Sequence, residues 1–561
     1  MIAILEVGHH EVGGNRSGRI SRSFVAAIFL VGLSIVLGTY YWRPLKGLSI
    51  DDSYIFAQYA ENLAEHGELS FNNGDRSLGV TSLAWTILLA ASHRTFGGSP
   101  ITEAQVLGAL LLGASGSFWA GAFRRLGGSW SLSILIGITL VTDPFLVSHS
   151  ISGMESALNL AVLSALVWHI CGRLGSVDMV TGILMGLAFL TRPDNLVLLP
   201  ALLTASLVDL GRSERRSLRG RGWEWAALLF GLAIVSLPLC LWSYQRSGSV
   251  IPPTRIGKLL VFLPVNYGLT FGQFTSLGVR GHIAIAVKCF TERILPMFTT
   301  ECERAVLPAV LMGICSLAFL TVRRCDHRFL CIVLAGYSSA LVVSYALLFP
   351  VVKDRHLSNV HSIAIAGVGM LALYMSERGS ARARAQSGSQ GRASIAWRPF
   401  VAQGILCLSI VGSLVFVNHY RDRYVRRVAN INVWCLTGTW LSSHTPVGSR
   451  LALEPIGAIK YCSQMYVLDM GGLATRDTWE SISQGQGEGL DSIDRLLRAR
   501  RVDYIIDHHP SEWLGRLADK FPESYHLVER VEAPSRERAF GATDAFDVFA
   551  TQWGRGMGER R

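Results

Sequence analysis

The sequence predicts a polytopic α-helical membrane protein carrying a C-terminal α/β domain. Three observations predict it. Half of the 561 residues are hydrophobic and only 17% are charged, a balance typical of chains that sit largely in lipid. Apolar segments recur from residue 23 to residue 418, about 11 or 12 of them if short and re-entrant ones are counted. Beyond residue 418 the pattern changes to short alternating apolar runs between polar stretches.

The elements follow in order. Residues 1–22 form a cytoplasmic tail with Arg16, Arg19 and Arg22 ahead of the first apolar run, 23–42. No small-residue cleavage site follows that run, so it reads as a retained anchor. Further apolar segments fall near 80–96, 104–123, 130–147, 155–172, 178–191, 195–210, 224–243, 304–322, 328–350, 359–376 and 399–418. The loops 211–224, 322–328 and 377–398 are arginine-rich and should face the cytoplasm. That puts loops 43–79 and 244–303, the turn 351–358 and the region 419–561 on the outer face of the cytoplasmic membrane.

The first half does not count evenly. An odd number of crossings must separate an outer loop at 43–79 from an inner loop at 211–224, yet six segments lie between them. One of them must be short, broken or re-entrant. The first suspects are 178–191 and 195–210, split by Arg192-Pro193-Asp194; the second is 130–147, broken at Asp143-Pro144. Broken helices at membrane depth are tolerated where they line a cavity.

The region 419–561 forms the transmembrane domain's outer partner. Its runs RLALEPI, MYVLDM, VDYIIDHH and AFDVFATQ read as strands around a helical stretch, DSIDRLLRARR. The net charge of +11 lies in short loops between apolar segments, without a basic stripe interleaved with aromatics, so nucleic acid is set aside. The ten cysteines show no metal-ligand spacing. Two pairs, Cys289 with Cys302 and Cys435 with Cys462, fall in outer regions, where disulfides and free thiols are equal alternatives.

The chemistry centres on Asp51-Asp52, directly after the first span. Two adjacent acids beside a membrane must be solvated, paired or used. A helix follows them, with Tyr54, Ile55, Tyr59 and Leu63 at helical spacing, and this amphipathic pattern predicts a helix lying along the membrane interface. Gly67 ends it. Asn72-Asn73-Gly74 is a turn signal, with Asp75 and Arg76 just before the next span. The plain alternative is that Asp51 caps the helix and Asp52 sits near its positive end. Against it stand other charges at the ends of apolar segments: Glu155, Arg192, Asp194, Lys258, Lys353, Arg355 and His356. Ionisable groups at such positions usually pair around a water-filled cavity.

Taken in order, DDSYIFAQYAENL, NNGDRSLGVTSLAW, SGMES, GLAFLTRPDNLVLLP, SGSVIPPTRIGK, DRHLS and EPIGAIKYCSQMYVLDMGGL resemble the GT-C superfamily of membrane glycosyltransferases. The nearest style is that of the actinobacterial arabinofuranosyl- and mannosyltransferases that use polyprenyl-phosphate sugars. The resemblance covers nearly the whole chain and rests on the order and spacing of the pieces. It implies that Asp51 and Asp52 are catalytic. Gly153-Met154-Glu155-Ser156 stands where that family has GMET, and Thr191-Arg192-Pro193-Asp194 where it has TRPE. The family's LPNTxxAK is degraded here to 251–258, keeping a proline, Thr254 and Lys258.

A polyprenyl-phosphate donor, an acceptor glycan or lipid, and surrounding membrane lipids are the partners this implies. Transfer needs a base for the acceptor hydroxyl and cations for the departing phosphate. Asp51 is the expected base with Asp52 tuning it, although the residues alone do not separate the two. Asn72, Asp75, Arg76, Glu155, Arg192, Asp194, Lys258, Arg355 and His356 are the expected substrate-binding residues. Cations of the chain itself suffice, so no cofactor is required; the acidic pair leaves room for a divalent cation. A transporter or lipid-sugar flippase would use a similar charged cavity, but such proteins often show matching halves, which this sequence lacks.

Overall fold

The computed structural model describes residues 22–554 apart from 46–47, 76–78, 174–175, 211–217, 248–253, 297–302, 323–326, 352, 386–397, 476–477, 479–489, 512–513 and 540–541. Arg76, Cys302 and most of the arginine-rich loop residues lie outside that description.

The chain runs α1 (Arg22–Trp42), α2 (Asp51–His66), α3 (Leu83–Phe96), α4 (Pro100–Arg125), α5 (Trp130–Thr142), α6 (Pro144–Ser150), α7 (Ser156–Cys171), α8 (Met179–Thr191) and α9 (Leu198–Leu210). It continues through α10 (Leu218–Ser247), α11 (Thr254–Tyr267), α12 (Phe271–Thr275), α13 (Val279–Cys289), α14 (Glu303–Val322), α15 (Arg328–Leu348), α16 (Ser358–Ala385), α17 (Arg398–Val415) and α18 (Val417–His444). Stretches within α1, α4, α10 and α15, and one from Arg355 into α16, are long and apolar enough to cross a membrane. The pairs α5–α6 and α17–α18 also qualify together but bend by 59° and 57°.

Exposure separates the lipid-facing helices from the central one. Val25, Ile28, Phe29 and Val36 on α1, and Phe230, Ile234, Leu237 and Leu241 on α10, are large apolar side chains left exposed, as expected of helices that face hydrocarbon. In the most apolar 18 residues of the Arg355–Glu377 stretch 94% are buried, so α16 runs through the middle of the bundle. Its polar side chains Asn359, His361 and Ser362 are buried with it and need partners. His361 finds Asp143, 2.9 Å away.

The chain is interrupted at both places the sequence singled out. Asp143 leaves the α5 path and its Oδ1 accepts from the Leu146 amide at 2.9 Å, capping α6 behind Pro144. At the second break Arg192 is extended (φ −155°, ψ 119°), the conformation favoured before proline. Pro193–Val197 then make a short 3₁₀ turn. The Ala188 carbonyl keeps the Arg192 amide at 2.9 Å and also accepts from the Thr191 hydroxyl and the Asn195 side chain, both at 2.7 Å, and Tyr337 donates to Asn195 at 2.8 Å. Side chains thus reinforce the last turn of α8 at the break.

One expectation is corrected. α2 does not present an open amphipathic face: Ser53 through Ala60 are all buried. It is wedged between α3 and a helix of the C-terminal domain. Protein covers the faces that would otherwise meet lipid and water, so the residues between Tyr54 and Tyr59 pack on every side. Gly67 does end the helix, at φ 70°.

The C-terminal region comprises β1 (Arg450–Leu453), α19 (Ile456–Ser463), β2 (Tyr466–Asp469), β3 (Tyr504–His508), β4 (Tyr525–Glu532) and β5 (Ala545–Thr551), with a helix at Leu490–Ala499. The sheet order is β2-β1-β3-β5-β4. β1 is parallel to β2 and β3, whereas β5 is antiparallel to β3 and β4. Ile493 and Leu497 of the Leu490–Ala499 helix pack on Ala452, Leu468 and Ile505. On the other side, Leu451, Leu453 and Ile456 belong to the hydrophobic core that runs through the membrane helices. The α/β domain thus shares a core with the bundle. Cys435 and Cys462 form a disulfide between α18 and α19, while Cys289 is a buried free thiol.

Candidate active site

The acidic pair opens α2, but neither aspartate caps it. Ile50 holds the cap position, and no side chain there bonds the first-turn amides. The two carboxylates serve different partners. Asp51 Oδ1 accepts from the Ala458 amide at 2.7 Å and Oδ2 from the Gly457 amide at 3.4 Å, both in the first turn of α19. Asp52 pairs with the Arg355 guanidinium and, at 3.5 Å, with Lys353.

These surroundings drive the two acids apart. Burial first, then the neighbouring Asp52 charge, push the Asp51 carboxyl up to about 7, with the two amides and Lys353 opposing. Burial acts the same way on Asp52. There the charges of Lys353, Arg355 and Lys258 outweigh it and hold the carboxyl well below the usual range. Two cations already neutralise Asp52, and N–H donors occupy Asp51. The pair is built for those partners rather than as a ligand set for a divalent ion.

A cavity of about 470 Å³ adjoins a cleft lined by Asp52; Asp51 lines neither space. The cavity's polar wall brings together Glu155, Arg192, Asp194, Lys258, Arg355 and His356, from four separate stretches of chain. Its apolar wall is Leu196, Val197, Leu341, Leu348 and Phe349. The adjoining cleft is smaller and shares Thr81, Thr254, Lys258 and Arg355 with the cavity; Leu473 of the α/β domain also lines it.

Within the cavity the charges are unevenly committed. Arg192 is held by Glu155 at 2.8 Å and Asp194 at 2.9 Å, and it donates to the Tyr345 hydroxyl at 2.7 Å. Tyr345 in turn donates to Asp194. The second Glu155 oxygen is buried and has no hydrogen-bond partner among the described residues. His356 stacks on Tyr345, with ring centroids 5.0 Å apart, and its Nδ1 accepts from the Lys353 amide at 3.3 Å. Lys258 makes no hydrogen bond or ion pair among the described residues. Burial lowers its ammonium to about 8, with Asp52 opposing and Lys353 and Arg355 reinforcing.

Not every expected residue reaches the cavity. Asn72 lies apart from it and acts as a clip. Its Nδ2 donates to the Val467 carbonyl at 2.9 Å and its Oδ1 accepts from the Val467 amide at 3.0 Å, extending the edge strand β2. Asp75 accepts from the same Asn72 amide at 3.1 Å. Arg76 lies outside the described residues. Conversely, Tyr345 and Thr81 line the cavity without having been singled out. Tyr345 sits one turn before the Phe349-Pro350 break, and that position was its only sequence signal.

Comparison with known proteins fits this architecture. A family model described as a domain of unknown function (DUF8728) matches residues 419–549. No curated protein sequence matches the chain. Among solved structures, the archaeal oligosaccharyltransferase AglB from Archaeoglobus fulgidus, in complex with an inhibitory peptide and a dolichol-phosphate, aligns with a TM-score of 0.53 at 12% identity. The alignment covers 86% of this chain and 69% of that one. ArnT from Cupriavidus metallidurans, bound to undecaprenyl phosphate, aligns with a TM-score of 0.53 at 10% identity, over 94% of this chain and 99% of that one. This chain shares the fold of both neighbours: it is a multi-pass helical membrane protein with a C-terminal α/β domain.

Proposed function

We propose that the protein is an inverting glycosyltransferase that moves a sugar from a polyprenyl-phosphate donor to a hydroxyl of a cell-envelope glycan, lipid or protein. The observation that carries the reading is the cavity itself. Cations and a strip of apolar side chains face the same space, which adjoins a cleft lined by Asp52, the neighbour of Asp51. A lipid phosphate has this dual character. The two fold neighbours were solved with a dolichol-phosphate and with undecaprenyl phosphate, which supports the donor class.

In this reading Asp51 takes the proton of the acceptor hydroxyl while that oxygen attacks the anomeric carbon. The bond from that carbon to the phosphate oxygen breaks, and its electron pair leaves with the polyprenyl phosphate. Direct displacement inverts the anomeric centre. Lys258, which has no ion-pair partner among the described residues, receives the growing phosphate charge together with Arg355 and Lys353. The prenyl chain runs along Leu196, Leu341 and Leu348. Glu155, through its unpartnered oxygen, accepts from a sugar hydroxyl, while Arg192, Asp194 and Tyr345 hold it in place. The centre works on the outer face of the cytoplasmic membrane. The Cys435–Cys462 disulfide supports that orientation, since such bonds persist in oxidising compartments.

The test is release of polyprenyl phosphate by the full chain in lipid nanodiscs, supplied with arabinofuranose and mannose donors and a hydroxyl acceptor. Turnover by the wild type, abolished in Asp51→Asn, is the expected result. Equal turnover in Asp51→Asn overturns the catalytic assignment. In sealed proteoliposomes, movement of intact donor across the bilayer without release makes the protein a flippase.

A further inference from the structure

The backbone donors to the Asp51 carboxylate come from the α/β domain rather than from the membrane helices. α19 begins after Pro455, and the amides of a helix's first turn have no partner inside the helix. Those of Gly457 and Ala458 find the Asp51 carboxylate. The approach is close: a Cβ on Gly457 would lie 2.1 Å from the Asp51 carbonyl oxygen and 2.6 Å from Oδ1.

Several independent contacts hold α19 there. The Cys435–Cys462 disulfide ties it to α18, the second half of the last bent pair. The Asn72 clip fixes β2, the strand that follows it. The loop after β2 lies on the two glycines beside the site. A Cβ on Gly79 would meet the Leu473 carbonyl oxygen at 2.9 Å, and one on Gly257, next to Lys258, the Gly472 carbonyl oxygen at 2.6 Å. Asp469 holds that loop by accepting from the Gly471 amide at 2.8 Å and from Ala474.

We propose that the C-terminal domain is a working part of the catalytic centre: the Gly457 and Ala458 amides are positioning groups that fix the Asp51 carboxylate, and the loop 470–474 walls the cleft that holds Asp52. The proposal rests on the glycosyl-transfer reading and gives the domain a task distinct from holding an acceptor glycan. Its chemistry is that of an anion at a helix N-terminus. The amides favour the ionised carboxylate against the burial that disfavours it, and they aim its oxygens. Without them Asp51 would stay protonated to higher pH and lose its direction.

The experiment uses the full chain in nanodiscs with two readouts. The first is the pH–rate profile of Ala458→Pro. Proline is tolerated in a helix's first turn and removes the N–H donor to Oδ1. The acid limb should move up by about one pH unit, with the rate at pH 7 falling roughly fivefold. If that variant does not fold, Cys435→Ser with Cys462→Ser frees α19 without touching Asp51 and should move the limb the same way. The second readout is amide hydrogen exchange in Asp51→Ala, which needs no activity. Gly457 and Ala458 should lose protection. Unchanged exchange there overturns the contact. Faster exchange with an unmoved pH profile reduces it to docking and overturns the catalytic role. A wild type that exchanges as expected yet releases no polyprenyl phosphate from any donor overturns the glycosyl-transfer reading and leaves the contact standing.

Discussion

Asp52 and Arg355, 303 residues apart in the chain, form an ion pair in which the arginine side chain is 4% exposed and the aspartate 18%. The pair ties the 43–79 loop to the turn that leads into α16, the buried centre of the bundle. It also decides what its neighbour does. With Asp52 committed to Arg355 and Lys353, and Asp51 to the α19 amides, two adjacent like residues acquire different acidities. Pushing the acidities of paired acids apart is how a fold assigns them different tasks.

Breaking that pair should therefore cost stability as well as activity. Arg355→Met removes the guanidinium and leaves the Asp52 charge poorly compensated, with only the 3.5 Å contact to Lys353 left. Breaking a buried pair in this way costs about 3 kcal/mol. The unfolding midpoint in detergent should fall, and adding Asp52→Asn should recover part of the loss. Additive losses in the double variant would mean that the two side chains do not couple.

The pH dependence of transfer follows from Asp51. Its carboxyl titrates at about 7 when folded, against an ordinary 3.8. The base form grows as pH rises, so turnover should climb through about pH 7. Stability has the opposite sign. A carboxyl whose acidity is weakened by folding contributes stability fully below about 3.8 and loses it as pH rises through about 7. A pH–rate profile beside a melting series checks both limbs. In Asp51→Asn the rate should be near zero at every pH, and the stability slope across that window should flatten.

The helical segments and both proline breaks were legible in the sequence because hydropathy and the loss of an amide at proline are local effects. Glu155, Arg192, Asp194, Lys258, Arg355 and His356 stood out because charge at the end of an apolar segment is costly without a partner. All six line one cavity. What escaped depends on contacts distant in the chain. The partner of Asp51 lies 407 residues away, and the burial of α2 depends on the domain that covers it. Asn72 carried the signal of a turn while serving a strand 395 residues on. Tyr345 resembled any packing tyrosine until Arg192 and Asp194 were seen against its hydroxyl.

Lys258 should set the alkaline side of the same profile. Burial lowers its ammonium to about 8, so the phosphate-binding charge is present below that pH and lost above it. Together with Asp51 it predicts a bell with a narrow top between about 7 and 8. Lys258→Met should raise the KM for the donor at least tenfold and remove the alkaline limb. Lys258→Arg should keep the charge and shift that limb upward. Donor titrations at pH 7 and pH 9 on the three proteins check this. An alkaline limb unchanged in Lys258→Met would assign it to another group.

The Cys435–Cys462 disulfide gives a test of orientation that needs no substrate. A bond closing a loop of this size, with a sequence separation of 27, stabilises a fold by roughly 3 kcal/mol in the chain-entropy account. It persists only where thiols are not kept reduced. In intact cells, a membrane-impermeant maleimide should leave both cysteines unlabelled in the untreated protein and label them after mild external reduction. The doubly substituted serine variant should unfold at lower temperature. Labelling without any reductant would mean that the two thiols are free in the cell. If labelling needs permeabilised cells even after reduction, α18, α19 and the bound Asp51 face the cytoplasm, and a donor presented on the outer face has no route to them.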